Sequence, residues 1–162
     1  MRTRLSLILI VVATLGCGGS SSDSTSPSTN ESNTAAAKTL TATFNGAAYK
    51  PNLITSVWGG SAGGQVSVNA SDGTRAFMLT GLGVTAPGTY SFAPGNSNSG
   101  IVQWVDGANF YSTGYNGAGT VTFTVLQTGR VAGSFNVSVK TLGAPSTVLT
   151  LALVGTFDIK FP

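Results

Sequence analysis

From Lys38 to the end of the chain, apolar and polar residues alternate with a period of two. Leu40, Ala42 and Phe44 alternate with Thr39, Thr41 and Thr43, and Asn45-Gly46 then offers a turn. Val66 and Val68 are separated by Ser67, and Ser71-Asp72-Gly73 turns the chain into 74–82. Val121, Phe123 and Val125 alternate with threonines, Thr128-Gly129 turns, and Phe135, Val137 and Val139 alternate with Ser134, Asn136 and Ser138. Leu149, Leu151 and Leu153, then Phe157, Ile159 and Phe161, continue the rhythm. This is the signature of half-buried strands bounded by turn residues, and the abundance of Thr and Val suits a pleated surface. The pattern predicts strands near 39–45, 48–57, 65–70, 74–82, 89–93, 101–105, 109–113, 119–127, 131–141 and 147–161, the last with a bulge or corner at Gly155. After residue 17 no apolar stripe holds a 3.6-residue period over three turns. The expected fold is all-β: a single antiparallel β-sandwich or flattened β-barrel of about 8–10 strands spanning residues 38–162.

The first 37 residues follow other rules. Arg2 and Arg4 precede an apolar run, Leu5–Leu15, and Gly16-Cys17 follows. A basic start, a short apolar stretch and a small residue before the cleavage point make a signal peptide over residues 1–16. As a helix the run is only ~16 Å long, about half the ~30 Å hydrocarbon core, so it does not serve as a permanent span. The junction Thr14-Leu15-Gly16-Cys17 resembles a bacterial lipobox, with Thr14 where Leu is usual. That resemblance implies that Cys17 becomes an acylated N-terminus and anchors the protein in membrane lipid. Gly18 after the Cys, rather than Asp, implies the outer membrane, facing the periplasm or the surface. Cys17 is the sole cysteine of the chain, and an acyl group would consume a thiol that otherwise has no partner. Residues 18–37, rich in Ser, Thr and Gly, hold no aliphatic larger than Ala and no aromatic. They read, with Cys17, as a disordered tether with an r.m.s. reach on the order of 25 Å.

Composition narrows the chemistry. The chain of 162 residues has no His and one Cys, which removes imidazole acid–base chemistry, His metal sites, multi-thiolate zinc and any internal disulfide. The formal charge of +3 owes much to Arg2 and Arg4; without them six Lys/Arg face five Asp/Glu. Those cations are scattered, which excludes a nucleic-acid partner. No cofactor or metal is expected.

Several motifs dissolve in context. Gly59-Gly60-Ser61-Ala62-Gly63 matches a nucleophile elbow, but no His exists to activate the serine, and a hairpin loop is expected. Gly81-Leu82-Gly83-Val84-Thr85-Ala86 matches a dinucleotide fingerprint, but Pro87-Gly88 forbids the helix that would meet the pyrophosphate. Asp72, Asp106 and Asp158 are the folded part's carboxylates, two in hairpin-turn dipeptides and one on a polar strand phase. Asp106 with Asn109 falls well short of a calcium shell. An Asp-dependent glycoside hydrolase would require Asp106 and a second Asp to converge in a cleft.

The richest segment is 103–116, where Trp104, Phe110, Tyr111 and Tyr115 lie among Gln103, Asp106, Asn109, Asn116 and glycines. It has two readings. Trp104 and one of Phe110 and Tyr111 are core, with the rest capping a hairpin, or Trp104, Asp106, Asn109, Tyr111 and Tyr115 form a face that stacks and hydrogen-bonds a glycan. The second reading requires Tyr111 and Tyr115 to be exposed.

Three pieces, Gly119–Val125, Gly129–Phe135 and Gly155–Phe161, with the opening Asn45-Gly46-Ala47-Ala48-Tyr49, resemble a family of small bacterial lipoprotein and secreted β-domains of unknown function. The resemblance spans residues 40–161 and implies an envelope location and a β fold, with no activity attached. The expected role is therefore a lipid-anchored, non-enzymatic binding or structural domain of the cell envelope, whose partners are membrane lipid and either a glycan or an envelope protein.

Overall fold

A computed structural model describes residues 38–95, 100–141 and 149–161. The signal peptide, Cys17 and the tether lie outside the described residues. In chain order the elements are β1 (Lys38–Phe44), β2 (Ala47–Tyr49), β3 (Leu53–Trp58), a single helical turn α1 (Gly60–Gly63), β4 (Val66–Ser71), β5 (Arg75–Gly81), β6 (Gly88–Phe92), β7 (Ile101–Asp106), β8 (Asn109–Ser112), β9 (Ala118–Gln127), β10 (Arg130–Thr141) and β11 (Thr150–Lys160). The domain is all-β, an antiparallel sheet curled into a half-barrel. The expected strand over 48–57 is two strands, because Lys50-Pro51-Asn52 interrupts it, and Pro has no N–H for a ladder. The described residues accordingly form eleven strands.

The main path through the sheet is β2-β1-β11-β10-β8-β7-β5-β4-β3. One edge of β10 is paired with β11 over Arg130–Lys140. Its other edge is shared: β9 takes Arg130–Ser138, and β8 takes Lys140 and Thr141. The sheet therefore forks at β10, one branch running to β6 and the other to β3.

Turn chemistry holds the hairpins. Asn45 and Gly46 both take positive φ (45° and 83°), as a two-residue Asn-Gly hairpin needs. Asp72 Oδ1 accepts the backbone N–H groups of Thr74 (3.1 Å) and Arg75 (2.7 Å), closing the β4–β5 turn.

Inward-facing side chains fill the curl. Phe44 stacks on Trp104 with centroids 3.4 Å apart, and Tyr49 sets its ring edgewise to both. Phe77 stacks on Phe135 at 4.8 Å. The tightest feature is reciprocal. Across β10 and β11, Gly133 lies opposite Phe157 and Phe135 lies opposite Gly155. Each ring occupies the space that a Cβ on the facing glycine would need: a Cβ on Gly155 would strike the Phe135 ring and the Thr41 carbonyl, and one on Gly133 would strike the Phe157 ring and the Thr122 carbonyl. Aromatic rings laid over strand glycines keep the layer filled.

Two expectations about phase need correction. β11 is continuous, and Gly155 is a paired strand residue rather than a corner. In β9 the alternation does not run through Val125. Ala132 pairs with Val125 and Gly133 with Phe123, so Thr124 is an extra residue in a bulge. The bulge shifts the phase by one, which buries Leu126 and leaves Val125 half-buried.

Candidate binding face

The 103–116 segment folds as the β7–β8 hairpin and the turn after it. Asp106 pairs with Asn109 around a two-residue loop in which Gly107 takes φ 57°. Both are exposed at the tip. Trp104 lies on the inward phase of β7 and is 1 % exposed. Tyr111 is its cross-strand partner and is 6 % exposed. The exposure that a glycan face would require of Tyr111 is therefore not met, because opposite residues in a ladder share one face and Trp104 is drawn inward by Phe44 and Tyr49. Tyr115 sits in the following turn, half-buried, with its ring 6.0 Å from Phe110 at 66°. Of the five residues singled out as a sugar platform, two are core, two cap the hairpin tip and one lies beyond the other end of β8. They do not come together as one surface.

What does come together is the other phase of the same strands. On the outer face, Leu53, Ser71, Ala76, Val105 and Phe110 follow one another across β3, β4, β5, β7 and β8. The neighbouring row is Thr55, Asn69, Met78 and Gln103. Small residues in the middle and large ones at the ends make a trough of about 250 Å³ lined by both rows. Leu53 is 61 % exposed, Met78 43 % and Phe110 37 %. A signal for this face exists in the sequence. Ala76-Phe77-Met78-Leu79 and Ile101-Val102 are apolar on both phases, which a sheet with one solvated face does not require.

The charged groups lie apart from the trough floor. Asp72 receives Arg75 Nε at 2.8 Å besides the backbone N–H groups, and these donors hold its carboxyl far below the usual range. The Arg75 guanidinium lies 5.3 Å from the Tyr49 ring centroid, and Arg75 is also the register partner of Asp106. Asp158 makes a two-pronged pair with Arg130, at 2.9 and 2.7 Å, which lowers its pKa. Burial pushes the Tyr49 hydroxyl up to about 12, with the Asp72 charge adding to the effect. Its Oη has no hydrogen-bond partner among the described residues. Gly60–Gly63 forms one helical turn closed by Gly64 in the left-handed region, and Val84, at the heart of the 81–86 segment, is buried and donates to the Gly64 carbonyl at 2.7 Å. Both glycine motifs thus serve the loops between strands. Among the described residues no three of His, Cys, Asp and Glu cluster as a metal site, and no helix is long and apolar enough to cross a membrane.

Comparison with models of known protein families, with curated proteins and with solved structures finds no match for this chain.

Proposed function

We propose that this chain is a lipid-anchored protein of the bacterial cell envelope, held at the outer membrane through acylated Cys17, and that its β-domain is a non-enzymatic binding module. The observation that carries the binding role is the exposed apolar trough on the outer face of β3–β8. Contiguous apolar surface in water marks a place of contact. Its chemistry suits an apolar side chain of an envelope protein, with Thr55, Asn69 and Gln103 at hand for polar groups beside it. A glycan asks for exposed stacking rings, and of the two that line the trough Phe110 is exposed while Phe77 is buried in the core. The anchor is supported by the sequence: a basic start, a short apolar run, one cysteine and a polar tether.

Two measurements test the two halves. Mass spectrometry of the mature N-terminus should find an acylated Cys17, and Cys17→Ser should leave the protein unprocessed or release it from membranes. An unacylated mature chain starting elsewhere would end the anchor. A photo-cross-linker placed at Val105 in the envelope-located protein should capture one defined partner, and Phe110→Ser should remove it without changing the fold. A glycan array that retains the parent protein but not Phe110→Ser would replace the protein partner by a sugar.

A further inference from the structure

β3 ends one branch of the sheet, and among the described residues only β4 pairs with it. Gly59 donates its N–H to the Gln65 carbonyl at 2.8 Å, which continues the β3–β4 register and marks the odd-numbered residues of β3 as the hydrogen-bonded ones. The N–H and C=O groups of Ile54, Ser56 and Trp58 therefore project from the free edge. Sheet edges are normally blunted by charge, proline, a bulge or short length. The sequence of β3, Leu-Ile-Thr-Ser-Val-Trp, carries no charge and no proline, and its ladder with β4 is unbroken over all six residues. The opposite end of the sheet, β2, is only three residues long. On β3's outer face Leu53 is 61 % and Val57 65 % exposed.

We propose that β3 pairs antiparallel with β3 of a second copy of this chain, about a two-fold axis at Thr55. The strand is self-complementary in that register alone. Centred on Thr55, the pairing sets Leu53 opposite the partner's Val57 and Val57 opposite the partner's Leu53, so each exposed apolar side chain covers the other. Ile54 and Ser56 then exchange N–H···O bonds with the partner's Ser56 and Ile54, using the groups that β4 leaves open. Centred on Ser56 instead, Leu53 would face the partner's Gly59 and stay bare. A two-fold contact sets the same strand against itself, so an uncharged strand avoids the like-charge repulsion that blocks most edges. The outer faces of two half-barrels, with their troughs, become one surface. This interface does not depend on what fills the trough or on acylation of Cys17.

The register has a direct test. Opposite residues of a non-hydrogen-bonded pair have Cα atoms about 4.5 Å apart, within disulfide range. In the full chain in bacterial membranes, mild oxidation of Thr55→Cys should give mostly a disulfide-linked dimer. Ser56→Cys and, on the bulge of β9, Thr124→Cys should give little. Adding Val57→Lys to Thr55→Cys should lower the linked fraction about tenfold, because a lysine then opposes Leu53 twice per dimer, while circular dichroism stays unchanged. The parent, with Cys17 alone, reports any link through that thiol, and Cys17→Ser removes it. Linking at Thr55→Cys no greater than at Thr124→Cys, or greatest at Ser56→Cys, or insensitive to Val57→Lys, would overturn the proposal.

Discussion

The outer faces of the two halves of the sheet are built differently. Around β1, β11, β9 and β6 the outward residues are mostly hydroxyls and charges that find one another. Thr41 and Thr156 hydroxyls meet at 3.1 Å, Thr89 and Thr122 at 2.8 Å, and Arg130 grips Asp158. Val154, 46 % exposed, is the exception. Across β3–β8 the two outward rows hold Leu53, Met78, Val105 and Phe110 beside Thr55, Asn69, Ser71 and Gln103, and Leu53, Met78 and Phe110 stay exposed. The inner faces of both halves supply the buried apolar cluster. Period-two alternation thus identifies the face that packs, while the residues on the opposite phase distinguish a face left to water from one that meets a partner.

That comparison can be broken first at Trp104. If the β7–β8 hairpin keeps its chemistry outside and its packing inside, Trp104→Ala should cost about 3–5 kcal/mol in urea unfolding, the range for a buried aromatic. A Trp104→Ala protein of parental stability would place the indole outside and restore the glycan platform. Gly155→Val should cost about 3 kcal/mol by overpacking, because the Phe135 ring and the Thr41 backbone have little room to give. Near-parental stability there would mean that the reciprocal Gly–Phe pairs do not set the packing.

Tyr49 sharpens the inner side by titration. The folded hydroxyl is pushed up to about 12 from its ordinary value of 10.0. Between these values the unfolded chain has lost its proton and the folded one has kept it, so stability falls as pH rises through that window. Tyr49→Phe should abolish the alkaline fall in melting temperature and leave neutral stability intact or improved, since an unpartnered hydroxyl is removed. The smallest effect belongs to the polar outer face. Asp158→Asn should cost about 0.2–1 kcal/mol at neutral pH, as exposed ion pairs do. The Asp158 pKa is depressed below 3.8, so the parent should lose this advantage only as pH falls below that value, and the two melting curves should then converge.

Which residues form strands, and the class of fold, are legible in the chain because alternation records burial directly. What is not legible depends on contacts between distant segments. No local rule announces that Thr124 is a surplus residue; the bulge follows from Gly133 having to face Phe123 while Val131 faces Leu126. Gly155 resembles a corner in isolation and becomes a strand residue only when Phe135 is laid against it. The aromatic cluster at 103–116 misleads in the same way. Trp104 is claimed by Phe44, about sixty residues earlier, and Tyr111 follows it inward. Phe110, noted in the segment but not counted in the glycan face, holds the exposed place because β8 presents it on the other phase. Pro51, by contrast, could have been read as a break from its chemistry alone.

One pairing governs when this domain can become itself. β1 is tied to β2 over three residues and to β11 over seven, with Lys38 opposite Ile159. The first strand to be synthesised therefore waits for the last one. Closing a loop of more than a hundred residues before the decisive contacts form makes such folding slow relative to helical domains of the same size. During that wait Leu40 and Phe44 lack their native cover, so the half-made sheet is the state most open to wrong contacts.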